Sequence, residues 1–150
     1  MPWVPHITVA SIVEKNDNYL FVEEFVDNNK VLNQPAGHLE EHETLEEGCV
    51  RETLEETAYL VEVDYLIGIY QERKKNSLDM WLRFCFKCNI INEYKDKSLD
   101  KNIIRKLWLS KNEIKSSNIS LRSDMVLKCI NDYEQGNKYP KEILRNLLEK

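Results

Sequence analysis

Eight glutamates fall between residues 40 and 56, and the residues around them constrain that stretch to a helix. Thr44-Leu45-Glu46-Glu47 is a capping-box pattern, in which the Thr44 hydroxyl accepts the Glu47 backbone N–H and the Glu47 carboxylate reaches back. The helix is predicted over Leu45–Thr57. At about 100° per residue, with Val50 as zero, Thr53, Leu54 and Thr57 fall near 300°, 40° and 340° and form a small or apolar face. Glu52, Glu55 and Glu56 fall near 200°, 140° and 240°, opposite that face, with Arg51 at the edge. Three carboxylates spaced i, i+3, i+4 repel, at roughly 0.2–0.5 kcal/mol per exposed pair. Such a face is ordinarily solvated surface. It can also hold a hard divalent cation such as Mg²⁺, which prefers carboxylate oxygens and keeps waters for a phosphate.

The rest of the chain reads mainly as strands. His6–Val13 is rich in β-branched residues, Asn16-Asp17-Asn18 marks a turn, and Tyr19–Val26 returns as a hairpin partner. Asp27-Asn28-Asn29 is a second turn before Val31–Gln34, and Pro35-Ala36-Gly37-His38 breaks that strand and opens a loop. Strand-like sequence resumes at Leu60–Val63 and Leu66–Gln71, then at Met80–Ile91 and Ile103–Leu109, with a basic loop at Arg73–Ser77 and a polar loop at Asn92–Lys101. From Lys111 onward the chain reads as helical, with a main segment near Ser123–Glu134 and a weaker one after Pro140. Strands around one acidic helix and a helical C-terminus give an α+β fold. At 150 residues, it is read as one domain spanning 1–150.

Net charge is −5, which argues against a protein that coats nucleic acid. It does not exclude phosphate chemistry, because a divalent metal can sit between carboxylates and a polyanion. No run approaches the roughly 18 apolar residues of a membrane span, and no signal peptide is visible. Cys85 and Cys88 form a C-x-x-C pair within a strand pattern. Residues three apart on a strand face opposite ways, so they are read as reduced thiols of a cytoplasmic protein, not a zinc pair.

Gly37, Glu43, Arg51-Glu52 and Glu55-Glu56 stand at the spacing G-x5-E-x7-R-E-x2-E-E, which resembles the signature of the Nudix family. Thr53 replaces an aliphatic residue and needs a hydroxyl partner. Ala58 replaces a glycine at the helix exit, where a left-handed residue costs about 1 kcal/mol without glycine. The resemblance implies an α/β/α sandwich around a mixed sheet, with a C-terminal helix. It implies a hydrolase of diphosphate linkages that uses Mg²⁺, or Mn²⁺ in its place. Glu52, Glu55, Glu56 and the Gly37 carbonyl are the implied metal ligands. Glu52 is favoured as general base, with Glu55 the alternative, and Arg51 orients the carboxylates through Glu43.

Patches at His6–Ala10, Asn33–Glu40, Leu82–Phe84, Leu121–Ser123 and Tyr133–Pro140 resemble a bacterial phosphatase subgroup of the family. That subgroup releases orthophosphate from nucleoside tri- and diphosphates and from hydroxymethylpyrimidine and thiamine pyrophosphates. The alternative within the family is a nucleoside triphosphate pyrophosphohydrolase that cleans the nucleotide pool. A non-catalytic binding module is expected to have lost box carboxylates, and these are intact. On the strand Met80–Ile91, Trp81, Arg83, Cys85 and Lys87 share a face. Arg83 is the candidate to reach a phosphate and Trp81 to stack on a base, against ordinary sheet-surface packing. Arg73–Lys75, His6, His38 and Arg122 are further candidates, each with a plain structural reading beside it. The expected partner is a small nucleotide or pyrimidine pyrophosphate, with no nucleic-acid polymer and no membrane, bound by a monomer.

Overall fold

A computed structural model describes residues 2–149. Nine strands and three helices follow in the order β1 (His6–Ile12), β2 (Glu14–Lys15), β3 (Asn18–Val26), β4 (Asn29–Asn33), β5 (Ala36–His38), α1 (Leu45–Thr57), β6 (Tyr59–Arg73), β7 (Met80–Glu93), β8 (Ile103–Ser110), α2 (Lys111–Ser116), β9 (Ser120–Leu121) and α3 (Met125–Glu134). One sheet has the order β5-β1-β7-β6, with β1 and β7 parallel and the other pairs antiparallel. The second runs β2-β3-β4-β9, with β8 on the other edge of β3. The α+β class and the mixed sheet match the expectation.

Both tight turns lie where the Asn/Asp clusters place them. Asn16 and Asp17, and then Asp27 and Asn28, all have positive φ, the geometry of two-residue hairpin turns. The first hairpin is shorter than expected, since only Glu14–Lys15 pairs with Asn18–Tyr19. β1 itself lies inside the other sheet, buried on both faces from Thr8 to Ile12, as a nearly continuous apolar strand should be. Ala36–His38, expected as loop, pairs with β1 instead. The segments 60–63 and 66–71 are one strand, and register shifts after Leu60, Val63 and Leu66 absorb the break in pattern. After Pro140 there is only a short 3-10 turn, Lys141–Ile143, in place of the expected helix. Ile143, Leu147 and Leu148 are exposed there and Leu144 alone packs on the core, which is too little buried apolar surface to hold a helix.

Cys85 packs with Ile67, Cys129 and Ile130 in one core cluster, and Cys88 with Phe86, Cys49 and Leu66 in another. The two thiols thus face opposite sides of the sheet. All four cysteines are free and buried. Among the described residues no helix is long and apolar enough to cross a membrane.

Helix α1 lies on the sheet through small residues. Gly48, Cys49, Thr53 and Thr57 are buried, and so is Glu56. The buried face is therefore rotated from the one expected, towards Cys49 and Glu56, while Val50 and Leu54 are only half-buried. Small side chains let the helix approach closely, and that approach carries Glu56 inward. The Thr53 hydroxyl finds two partners, donating to the Cys49 carbonyl at 2.8 Å and lying 2.9 Å from Ser11 Oγ on β1.

Candidate active site

The site begins where the loop after β5 meets α1. The capping box forms: Thr44 Oγ1 accepts the Glu47 N–H and Glu47 Oε1 accepts the Thr44 N–H, each at 3.1 Å. One turn on, Arg51 is clamped. Its Nε and Nη2 donate to the two oxygens of Glu43 at 2.9 and 2.7 Å, and Nη2 also donates to the His38 carbonyl at 3.0 Å. Nη1 donates to Glu52 at 2.8 Å and to Glu55 at 3.2 Å. One guanidinium therefore fixes the loop to the helix and aims two carboxylates. The hydrogen bonds from Arg51 hold the Glu43 carboxyl below its ordinary range, and the same pairing raises Arg51 further above its own.

The acidic face splits into two environments. Glu52, Glu55 and Asp100 each offer an oxygen within 4.8 Å of the others. Burial pushes Glu52 up, against the opposing pull of Arg51. Glu56 lies deeper, 6% exposed, and accepts the Ala36 N–H at 2.9 Å. Burial raises it well above the ordinary value, helped by Glu24, Glu52 and Asp100. Gly37 lies against Glu52 so closely that a Cβ there would meet the carboxyl carbon at 2.2 Å.

Asp100 was missed from sequence, where it is one carboxylate in a polar loop. Its backbone N–H donates to the Glu55 carbonyl at 3.0 Å, so the loop docks on the end of α1. No spacing signals that docking.

Beside the carboxylates a cleft of about 270 Å³ opens between the sheets, its lining including Ala36 and Gly37, the neighbours of Glu56 and Glu52. His38, Thr8 and Arg83 stand side by side across β5, β1 and β7 on its floor. Arg83 is 4% exposed and donates to Gln34 Oε1 at 2.9 Å and Asn33 Oδ1 at 3.2 Å. Trp81 lines the cleft, with His6 stacked on it at 4.1 Å between centroids and the Arg122 guanidinium 5.5 Å from its centroid. His6 Nδ1 and His38 Nε2 lie 3.1 Å apart. Burial, with His6 and Arg122 nearby, lowers the His38 pKa. Of the basic loop, Lys74 alone lines the cleft.

The NUDIX domain family profile matches residues 4–127. The chain belongs to the Nudix family. It is 37% identical over 141 residues to Phosphatase NudJ of Shigella boydii, covering 93% of this chain and 90% of that protein. It is 35% identical over 140 residues to Phosphatase NudJ of Escherichia coli K12, with the same coverage. A NUDIX hydrolase from Nitrosomonas europaea superposes with a TM-score of 0.92 at 39% identity, over 95% of this chain and 97% of that one. This Nudix chain is a hydrolase of phosphorus-containing anhydrides. Its carboxylate group fits a divalent cation: the donors are all hard oxygens, they converge within 4.8 Å, and of the cations Arg51 alone is in ion-pair contact with Glu52 and Glu55 among the described residues.

Proposed function

We propose that this Nudix hydrolase is a Mg²⁺-dependent phosphatase that releases orthophosphate from nucleoside tri- and diphosphates and from small pyrophosphates such as those of hydroxymethylpyrimidine and thiamine. The observation that carries the reading is the convergence of Glu52, Glu55 and Asp100 beside a cleft large enough for a heterocycle. The phosphatase name of the NudJ relatives supports orthophosphate as the product.

Glu52, Glu55, Asp100 and the Gly37 carbonyl would hold the cation, with Glu56 behind them. The chemistry a divalent cation supplies there is neutralisation of phosphate charge and acidification of water. Glu52 is the favoured general base, with Glu55 the alternative. Burial raises the Glu52 carboxylate above its ordinary value, which suits proton abstraction. Arg51 is a positioning residue, because its hydrogen bonds run to Glu43, Glu52 and Glu55. Arg83 and Trp81 belong to the substrate cleft. Trp81 has His6 on one face, which leaves it as a wall more than a two-sided stacking platform. The buried free thiols support a reducing compartment, the cytoplasm, where the chain acts as a single-domain monomer on small molecules.

A substrate panel with Mg²⁺, followed by separate assays for orthophosphate and pyrophosphate, tests the reading. Orthophosphate from a nucleoside triphosphate supports it. Pyrophosphate from the same substrate would instead assign the chain to the nucleotide-pool pyrophosphohydrolases.

A further inference from the structure

Hydrolysis of a phosphate anhydride leaves one feature of the cleft unexplained. Among the described residues, the buried side-chain atoms without a hydrogen-bond partner are Thr8 Oγ1 and Arg83 Nε. Both residues are more than nine-tenths buried, at 6% and 4% exposure, and both line the cleft. They are also neighbours, directly paired across the parallel strands β1 and β7, so their side chains leave the same face of the sheet together. An unsatisfied buried donor costs about 1–3 kcal/mol, and two side by side on a cleft floor point to a ligand acceptor.

The guanidinium is aimed. Each outer nitrogen is held by a neutral amide, Nη1 by Gln34 and Nη2 by Asn33, while Nε–H has no partner. Across the cleft stands Glu24 of β3. Among the described residues its side chain accepts one hydrogen bond, from Asn33 Nδ2 at a long 3.5 Å, so its oxygens keep lone pairs for an incoming N–H. Asn33 accepts from Arg83 and donates to Glu24, and so sets the donor and acceptor edges at a fixed spacing. Burial raises the Glu24 carboxyl, against the opposing pull of Asn33, Arg122 and Arg83.

We infer that Thr8, Glu24 and Arg83 are the specificity edge of the cleft, and that they select an amino-substituted nitrogen heterocycle as the moiety carrying the phosphates. Such a ring offers an exocyclic amine to Glu24 and an adjacent ring nitrogen or carbonyl to Arg83 Nε–H and the Thr8 hydroxyl. Cytosine and adenine carry this pattern. Uracil and hypoxanthine invert it, setting a carbonyl against the carboxylate and a ring N–H against the guanidinium. Phe25, Trp81 and Met125 supply apolar wall, and Gly37, which lines the cleft and lies against Glu52, marks the side on which the phosphates would lie. The inference rests on the proposed reading for its phosphate-bearing substrate, but its test needs no cleavage.

The test is calorimetric titration, in Mg²⁺, with the α,β-methylene analogues of CDP and UDP, whose bridge resists hydrolysis. The wild type should bind the cytidine analogue about tenfold more tightly or better. Glu24→Gln should bring the two affinities within about twofold. Thr8→Val, which keeps the side-chain shape, should weaken the cytidine analogue about fivefold. Equal affinities in the wild type, no measurable binding of either analogue, or a preference that survives in Glu24→Gln would overturn the inference. Binding with the stated preference in a chain that releases no phosphate from nucleotides would contradict the proposed reaction and support the cleft assignment.

Discussion

A side-chain carbon at Gly37 would lie 2.2 Å from the carboxyl carbon of Glu52. The absence of a side chain at Gly37 is therefore what allows Glu52 to occupy its place beside Glu55 and Asp100. Gly37 does not have a positive φ, so the demand comes from crowding and not from backbone conformation. Gly37→Ala should fold normally by circular dichroism and lose about 100-fold in kcat, because the misplaced carboxylate is the proposed general base. Turnover within twofold of wild type would show that Glu52 can move without consequence.

Asp100 completes the oxygen cluster from outside the helix. Asp100→Asn should raise the Mg²⁺ or Mn²⁺ concentration for half-maximal activity about tenfold, with little change in maximal rate once metal saturates. An unchanged activation curve would remove Asp100 from the site.

Ala58 ends α1 in the left-handed conformation, at φ 63° and ψ 12°. A Cβ there costs about 1 kcal/mol that glycine avoids. Ala58→Gly should raise stability by about 1 kcal/mol, or about 2–4 °C in Tm, and leave the carboxylates in place. A Tm that fails to rise would mean the surrounding packing already relieves the strain.

The helix, its cap and the clamp between Arg51 and Glu43 were legible because each depends on residues close in sequence. So were the two Asn/Asp turns. What was not legible depends on distant partners. The β-branched run of β1 cannot say which strands flank it, and β5 is a strand only because the edge of β1 is there to pair. The helical-wheel reading put Glu56 on the outer face. Close packing through Gly48, Cys49 and Thr53 rotated it inward, which only the approach of the helix to the sheet decides. Asp100, Thr8 and Glu24 reach the site from three separate elements and carry no spacing signal.

The burial of Glu56 sets a pH dependence with a definite sign. Its folded pKa lies above the ordinary 4.5, so between those two values the folded chain binds more protons than the unfolded one. Metal-free stability therefore falls as pH rises through that window and stays lower above it. Glu43 acts oppositely: with its pKa depressed by Arg51, its contribution is lost as pH falls below 4.5. In EDTA, Glu56→Gln should raise Tm at pH 8 and flatten the decline from pH 5 to 8. A steeper decline in the variant would contradict the assignment of buried charge to Glu56.

Glu52 is proposed to take the proton of the attacking water at a carboxylate cluster that would hold Mg²⁺. The most direct measurement is the rate of orthophosphate release from hydroxymethylpyrimidine pyrophosphate by wild type and by Glu52→Gln, at saturating Mg²⁺ and with both folds verified. The account predicts Mg²⁺-dependent release by the wild type and a fall of about 10²- to 10⁴-fold in the variant. Equal rates in the two proteins would contradict it.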